Sequence, residues 1–268
     1  MRKPWIDHCL RLAAEPEDFY AGGCRKIRRG VRLQWPSFED DLTLEDSGYT
    51  KSKMTMLRKN YLHQESIDMA KLLWEKRLGQ GKYGSVGFTC YNHFVKGGKL
   101  DQAKSIRASV FGPCIQSITM TLMDTGEVGI DVFYRTTELF KKFPADLVFI
   151  RDELLSQFEL PKYSVTFHFA NVTLHPMYFV TILPLIDDPI REFRILRRAD
   201  RRYFDWVVKA TSRYLLPEHH RGIAKFAQAQ RVKRDAERRL GDVPELVAYL
   251  RKHHPGHRNA YKETDDDA

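Results

Sequence analysis

Two runs of alternating residues, "IQSITMTLM" (115–123) and "EVGIDVFYR" (127–135), meet around the tetrapeptide "DTGE", and no other stretch restricts the fold as tightly. A period of two sends successive side chains to opposite faces of a sheet, and a short Gly-containing link between two such runs closes a hairpin. Two further stretches read as strands, "SVGFTCYN" (85–92) and "YSVTFHFANVTL" (163–174). Helical spacing of Ile67, Ala70, Leu73, Trp74 and Leu78 predicts an amphipathic helix over 64–78, and Leu147, Ile150, Leu154 and Phe158 predict another over 146–159. The segment from Gly22 to Tyr49 mixes Gly, Pro and charge and reads as irregular structure or a short hairpin. "KGGKLDQAKS" (96–105) reads as a loop. After Pro184 the chain turns helical and basic, 219–241 reads as a long helix stopped by Gly241, and the last dozen residues as disordered. Strands followed by helices, with no internal repeat, give an α+β fold class.

The chain has 268 residues, of which 43% are hydrophobic, enough for a substantial core. Its four cysteines, Cys9, Cys24, Cys90 and Cys114, show no CxxC spacing, and "MRKPWIDHCLRL" lacks the apolar centre of a secretory signal. A reduced, cytoplasmic protein without disulfides or a metal site is expected. No apolar stretch approaches the roughly 20 residues of a membrane span, since "MYFVTILPLI" is interrupted by Pro184 and followed by acids. The formal charge is +9, and the residues from Arg191 onward hold 19 Lys/Arg against 12 Asp/Glu. Such a basic region suits nucleic acid or a phosphorylated small molecule, or it is a solvated helical face with acids interleaved.

Cys114 is the residue with the most chemical potential. A thiolate attacks carbon, and a nearby cation such as Arg135, one hairpin away, favours that form. The alternative is a small apolar residue filling a core, because free cysteine is among the most buried residue types.

The blocks "GPCIQSITMTL" (112–122) and "DVFYRTTELFKKFPADL" (131–147) resemble the thymidylate synthase family, which includes the pyrimidine nucleotide hydroxymethylases of phages. That family has a Pro-Cys nucleophile, a strand pair, an Arg-Ser-x-Asp motif and then a Pro-x-Asn. Here Pro113-Cys114, Arg135-Thr136-Thr137-Glu138 and Pro144-Ala145-Asp146 stand in the same order, with Glu138 and Asp146 eight residues apart. The strong match covers about 50 residues, and a weaker one runs from "LLW" (Leu72 to Trp74) to about Tyr178. The resemblance implies a thymidylate synthase-like mixed sheet layered with helices. Residues 1–190 would form the catalytic core, with about the first 50 divergent, and 191–268 a basic helical region packed on or continuing it.

The resemblance also implies roles. Cys114 would add to C6 of a pyrimidine, making C5 nucleophilic toward the one-carbon unit of 5,10-methylenetetrahydrofolate. Arg135 and Thr136 would hold the nucleotide phosphate. Asn171, Thr173 and His175 would fall on the sugar-binding motif, with His168 in an alternative register, and Glu138 and Trp74 would face the folate. Asp146 replaces the family's asparagine. An amide both donates to O4 and accepts from N3–H of uracil, whereas a carboxyl group matches the reversed edge of cytosine. Family members acting on cytosine nucleotides carry aspartate there, so dCMP is the expected substrate. Asp146 equally suits the N-cap of a helix starting at the next residue.

Other positions depart from the pattern. Ile115 stands for a histidine, Glu138 for the family's aspartate, and Lys71 for the general acid/base glutamate, leaving Glu65 or Glu75 on a solvated helix face. Lys82 lies near where the partner subunit's arginine pair is expected. The expected protein is thus a deoxycytidylate hydroxymethylase or methyltransferase, by resemblance a homodimer. A uracil-nucleotide enzyme is one alternative, and a non-catalytic relative that binds nucleic acid or a partner is another.

Overall fold

The expected hairpin lies inside a five-stranded sheet. The computed structural model describes residues 4–15, 25–35, 51–62, 64–79, 84–90, 95–96, 99–100, 114–216, 219 and 244–254. Strands β5 (Ile115–Leu122) and β6 (Val128–Glu138) pair antiparallel, with Met120 opposite Ile130 and Ile118 opposite Val132. The link closes through Met123 N–H to Glu127 O at 2.9 Å and Gly126 N–H to Met123 O at 3.0 Å. Gly126 sits at φ +78°, a left-handed conformation open to glycine at little steric cost.

Three more strands complete a mixed sheet in the order β1-β7-β6-β5-β2. β2 (Gly84–Thr89) runs antiparallel to β5, and β7 (Tyr163–Leu174) runs parallel to β6. Residues 163–174 are the strand that the sequence predicts. β1 (Lys26–Trp35) corrects the expectation of irregular structure over 22–49 within its described part. Val31, Leu33 and Trp35 alternate as buried residues, but Gly30 at φ +61° breaks the period at its start and masks the pattern. Residues Val95–Lys96 (β3) and Lys99–Leu100 (β4) form a small hairpin where a plain loop is expected.

One sheet face is apolar. Trp35, Tyr134, Phe143, Phe167 and Phe169 form an aromatic cluster there, with centroids of 5.0 Å for Trp35–Phe167, 4.8 Å for Tyr134–Phe169 and 5.3 Å for Phe143–Phe167. Helices α2 (Lys51–Tyr61), α3 (Gln64–Gly79) and α4 (Phe143–Phe149) pack on this side, α3 against β2 and α2 against α4. The other face is small and polar, carrying Ser85, Thr119, Thr121 and Asp131, with Phe133 at 38% exposure.

The helix expected over 146–159 starts earlier, at Phe143, and changes form twice, to a π turn over Ile150–Leu154 and a 3₁₀ turn over Leu155–Gln157. Pro144 in the first turn sets the start, because its fixed φ suits a helix beginning. Lys142 occupies the N-cap without a side-chain cap, so Asp146 is not the cap.

The chain divides into two compact units, Arg28–Thr173 with the sheet, and Met1–Ile27 together with Leu174–Ala268. The second unit contains α1 (Pro4–Ala14), α5 (Phe179–Ile182), α6 (Pro189–Ala199), α7 (Arg201–Leu215) and α8 (Pro244–His253). α6 and α7 follow the expectation of basic helices after Pro184. The fold is α+β, a five-stranded mixed sheet with helices. Among the described residues no helix is long and apolar enough to cross a membrane. Pro113, Lys82, Cys24, the tail after His254 and all of 219–241 but His219 lie outside the described residues.

Candidate active site

Antiparallel pairing sets Cys114 across from Arg135. The Arg135 N–H donates to the Cys114 carbonyl at 2.9 Å, next to the Ile115–Tyr134 pair. Side chains so opposed have Cβ atoms about 4.5–5.5 Å apart. The register shifts between Ile115 and Ser117, and bulges of this kind re-aim neighbouring side chains. Cys114 is half-buried and its thiol is free.

Helix α2 brings a residue that the sequence did not suggest. The Cys114 N–H donates to the Tyr61 hydroxyl at 3.1 Å. Burial pushes the Tyr61 phenol well above its usual range, and the nearby Cys114 and Asp146 push it further. Tyr134, on β6 immediately before Arg135, behaves alike: burial raises it far above the phenol range, and Asp146, Tyr61, Cys90 and Cys114 add to the effect. Its hydroxyl has no hydrogen-bond partner among the described residues. Cys114, Tyr61, Tyr134 and Asp146 therefore share one electrostatic neighbourhood. Both phenols stay protonated at neutral pH, so each can donate a hydrogen bond.

Asp146 is 5% exposed, in the first turn of α4. Parallel pairing of β6 with β7 sets Thr136 opposite Asn171 and Glu138 opposite Thr173, so four expected residues occupy two adjacent strand ends. Glu138 already has structural work: its Oε2 accepts the Lys141 N–H at 2.8 Å and its carbonyl accepts the Lys142 N–H at 2.9 Å. These bonds shape the turn that leads into α4 and Asp146. Thr173 donates through Oγ1 to the Thr137 carbonyl at 3.2 Å.

The remaining expected residues are placed elsewhere. His175 belongs to the other unit, where its Nδ1 accepts the Met177 N–H at 3.1 Å; burial and then Arg25 lower its pKa. His168 is 2.6 Å from Asp131 and stacks on Phe133 at 4.8 Å. Lys71 is half-buried, and Glu65 and Glu75 are exposed as expected. Trp74 is 1% exposed and Glu138 6%, so neither presents an open face to a folate ring. A surface cleft of about 440 Å³ beside Arg151, Phe158 and Tyr163 includes none of these residues.

The strand period marks the Tyr134 ring as core but says nothing of its hydroxyl. Tyr61 lies 53 residues before Cys114, and only the folded chain joins them.

No protein-family model matches this chain, and no curated protein matches it significantly. Among solved structures it is similar to thymidylate synthase from phage T4, at 13% identity over 63% of this chain and 74% of that one, with a TM-score of 0.31. A likeness of that extent carries no argument about activity.

Proposed function

We propose that this chain modifies C5 of a pyrimidine nucleotide through a covalent adduct of Cys114 at C6, with dCMP as the substrate and hydroxymethylation as the outcome. The observation that carries this reading is the meeting of Cys114, Arg135, Tyr61 and Asp146 in one unit, from sequence positions that local structure alone does not join. Cys114 forms the bond to C6, and the electron pair of the C5–C6 double bond moves to C5 and, through C4, to N3; once C5 has bonded to the one-carbon unit, loss of the C5 proton and departure of the Cys114 thiolate from C6 restore the double bond. Tyr61 and Tyr134 donate hydrogen bonds to the charge so formed, Arg135 and Thr136 hold the phosphate, and Asp146 faces N3 and N4 of the base. The outcome needs a one-carbon donor at the formaldehyde level, the chemistry that 5,10-methylenetetrahydrofolate, implied by the family resemblance, would supply. Asn171 and Thr173 would line the sugar on this reading.

The resemblance to a dimeric family is in keeping with the open sheet face, where Phe133 is 38% exposed. A monomer in sedimentation at assay concentration removes the dimer from the proposal.

Release of tritium from [5-³H]dCMP and [5-³H]dUMP tests the chemistry. Wild type releases tritium from dCMP, and Cys114→Ala lowers the rate by on the order of 10³-fold or more, as loss of a nucleophile does. Background release from every sample sinks the proposal. Asp146→Asn moves preference toward dUMP, and a wild type that already prefers dUMP overturns the cytosine assignment.

A further inference from the structure

The residues from Arg191 to Arg213 hold eight Lys/Arg and three acids. All three acids are engaged or covered. Glu192 is buried, Asp200 binds Lys26 at 2.7 Å while capping α7, and Asp205 lies 3.4 Å from Arg201. Six of the eight cations are exposed, and Arg197 and Arg201 are half-buried. On α6, Arg191, Arg194 and Arg198 are exposed at helical spacing with Ile195 among them. On α7, Arg202, Lys209 and Arg213 are exposed along one stripe with Trp206, and the Arg202 guanidinium sits 4.7 Å over the Trp206 ring.

The two stripes belong to one surface region. α6 and α7 pack against each other, and Arg197, Arg194 and Arg201 all act on the Tyr249 phenol of α8, opposing the upward push of burial. One turn of helix rises about 5.4 Å, so each stripe offers a cation roughly every turn or two to a regularly charged chain.

We propose that the exposed faces of α6 and α7 bind the phosphate backbone of a nucleic acid, with Arg191, Arg194, Arg198, Arg202, Lys209 and Arg213 as the contacting cations. A lipid surface is the poorer occupant. A helix that lies on a bilayer sinks an apolar face among the headgroups, whereas Phe193, Leu196, Tyr203, Phe204, Val207 and Val208 are already buried in this unit. Binding through phosphates carries no base preference by itself and falls steeply with salt.

The test uses the full chain and fluorescence anisotropy with a labelled duplex of about 20 base pairs over a salt series, in the absence of any nucleotide substrate. Binding is expected to weaken linearly in log–log form. Replacing Arg194, Arg198, Arg202 and Arg213 by Gln lowers the slope by about 3–4 and the affinity by at least about tenfold. A control, Lys59→Gln with Lys76→Gln and Lys162→Gln, removes exposed cations of the other unit and leaves both values in place. Unchanged binding in the fourfold variant, equal loss in the control, or stronger binding to phosphatidylserine vesicles than to DNA each overturns the proposal. If circular dichroism shows that the fourfold variant does not fold, Arg194→Gln with Arg198→Gln reads the same effect as a slope change of about 2. The outcome does not depend on whether Cys114 is catalytic.

Discussion

In the unit formed by residues 1–27 and 174–268, the Lys26 ammonium is wholly buried and completely engaged. It lies 2.7 Å from Asp200, 2.8 Å from the carbonyls of Ala13 and Glu15, and 4.7 Å over the Tyr203 ring. In the unit formed by residues 28–173, the Tyr134 hydroxyl is just as deeply buried and has no hydrogen-bond partner among the described residues. A buried polar group without a partner costs about 1–3 kcal/mol, a cost that a fold organised only for stability avoids. Lys26 ties the end of α1 to the junction of α6 and α7, so its satisfied charge serves the architecture. Tyr134 lies within electrostatic reach of Cys114 and Asp146, so under the proposed function its spare donor serves chemistry.

The largest expected effect tests the first half of this contrast. Lys26→Ala strands the Asp200 carboxylate and two carbonyls in the interior, and breaking a buried pair in this way costs about 3–5 kcal/mol. Urea unfolding should show a midpoint lowered to match. A loss under about 1 kcal/mol would mean that water takes over the ammonium's partners, and the contrast with Tyr134 would disappear.

Tyr134→Phe tests the second half and is a smaller change. Deleting an unpartnered hydroxyl leaves stability within about 1 kcal/mol, because no hydrogen bond is lost. Tritium release from dCMP should nevertheless fall about tenfold, the effect of one missing donor to a developing charge. Several kcal/mol of lost stability with unaltered turnover would make the hydroxyl structural. The split between the two readouts is the informative result.

What the sequence makes legible follows from how local each signal is. The β5–β6 hairpin, β7 and α3 are written in short-range periodicity, which the fold preserves. β1 is obscured because positive-φ Gly30 interrupts its alternation, and the start of α4 because Pro144 acts three residues before the apolar repeat becomes visible. Cys114, Arg135, Asp146, Asn171 and Thr173 are recoverable as candidates from motif order, and strand pairing sets Cys114 beside Arg135, Thr136 beside Asn171 and Glu138 beside Thr173. Tyr61 has no such signal, since its contact with Cys114 depends on α2 packing beside the sheet. Nor does any local pattern reveal that Glu138 spends its carboxylate on the Lys141 N–H.

The smallest predicted effect returns to the unit that holds Lys26. His175 accepts the Met177 N–H through Nδ1, which requires a neutral ring, and burial followed by Arg25 holds its pKa below the ordinary histidine value of 6.5. The unfolded chain therefore takes up the proton first as pH falls. Stability from this residue is complete above about pH 6.5, declines as pH drops through that value, and levels off once folded His175 also titrates. His8, lowered by burial and Arg11, acts in the same direction, so some acid sensitivity persists without His175. Urea midpoints at about pH 7.5 and about pH 5.5 should differ less in His175→Asn than in wild type, because asparagine accepts a hydrogen bond without titrating. Equal pH dependence in the two proteins would show that the Met177 bond tolerates a protonated ring or reforms with water, and His175 would drop out of the set of groups whose pairing holds this unit together.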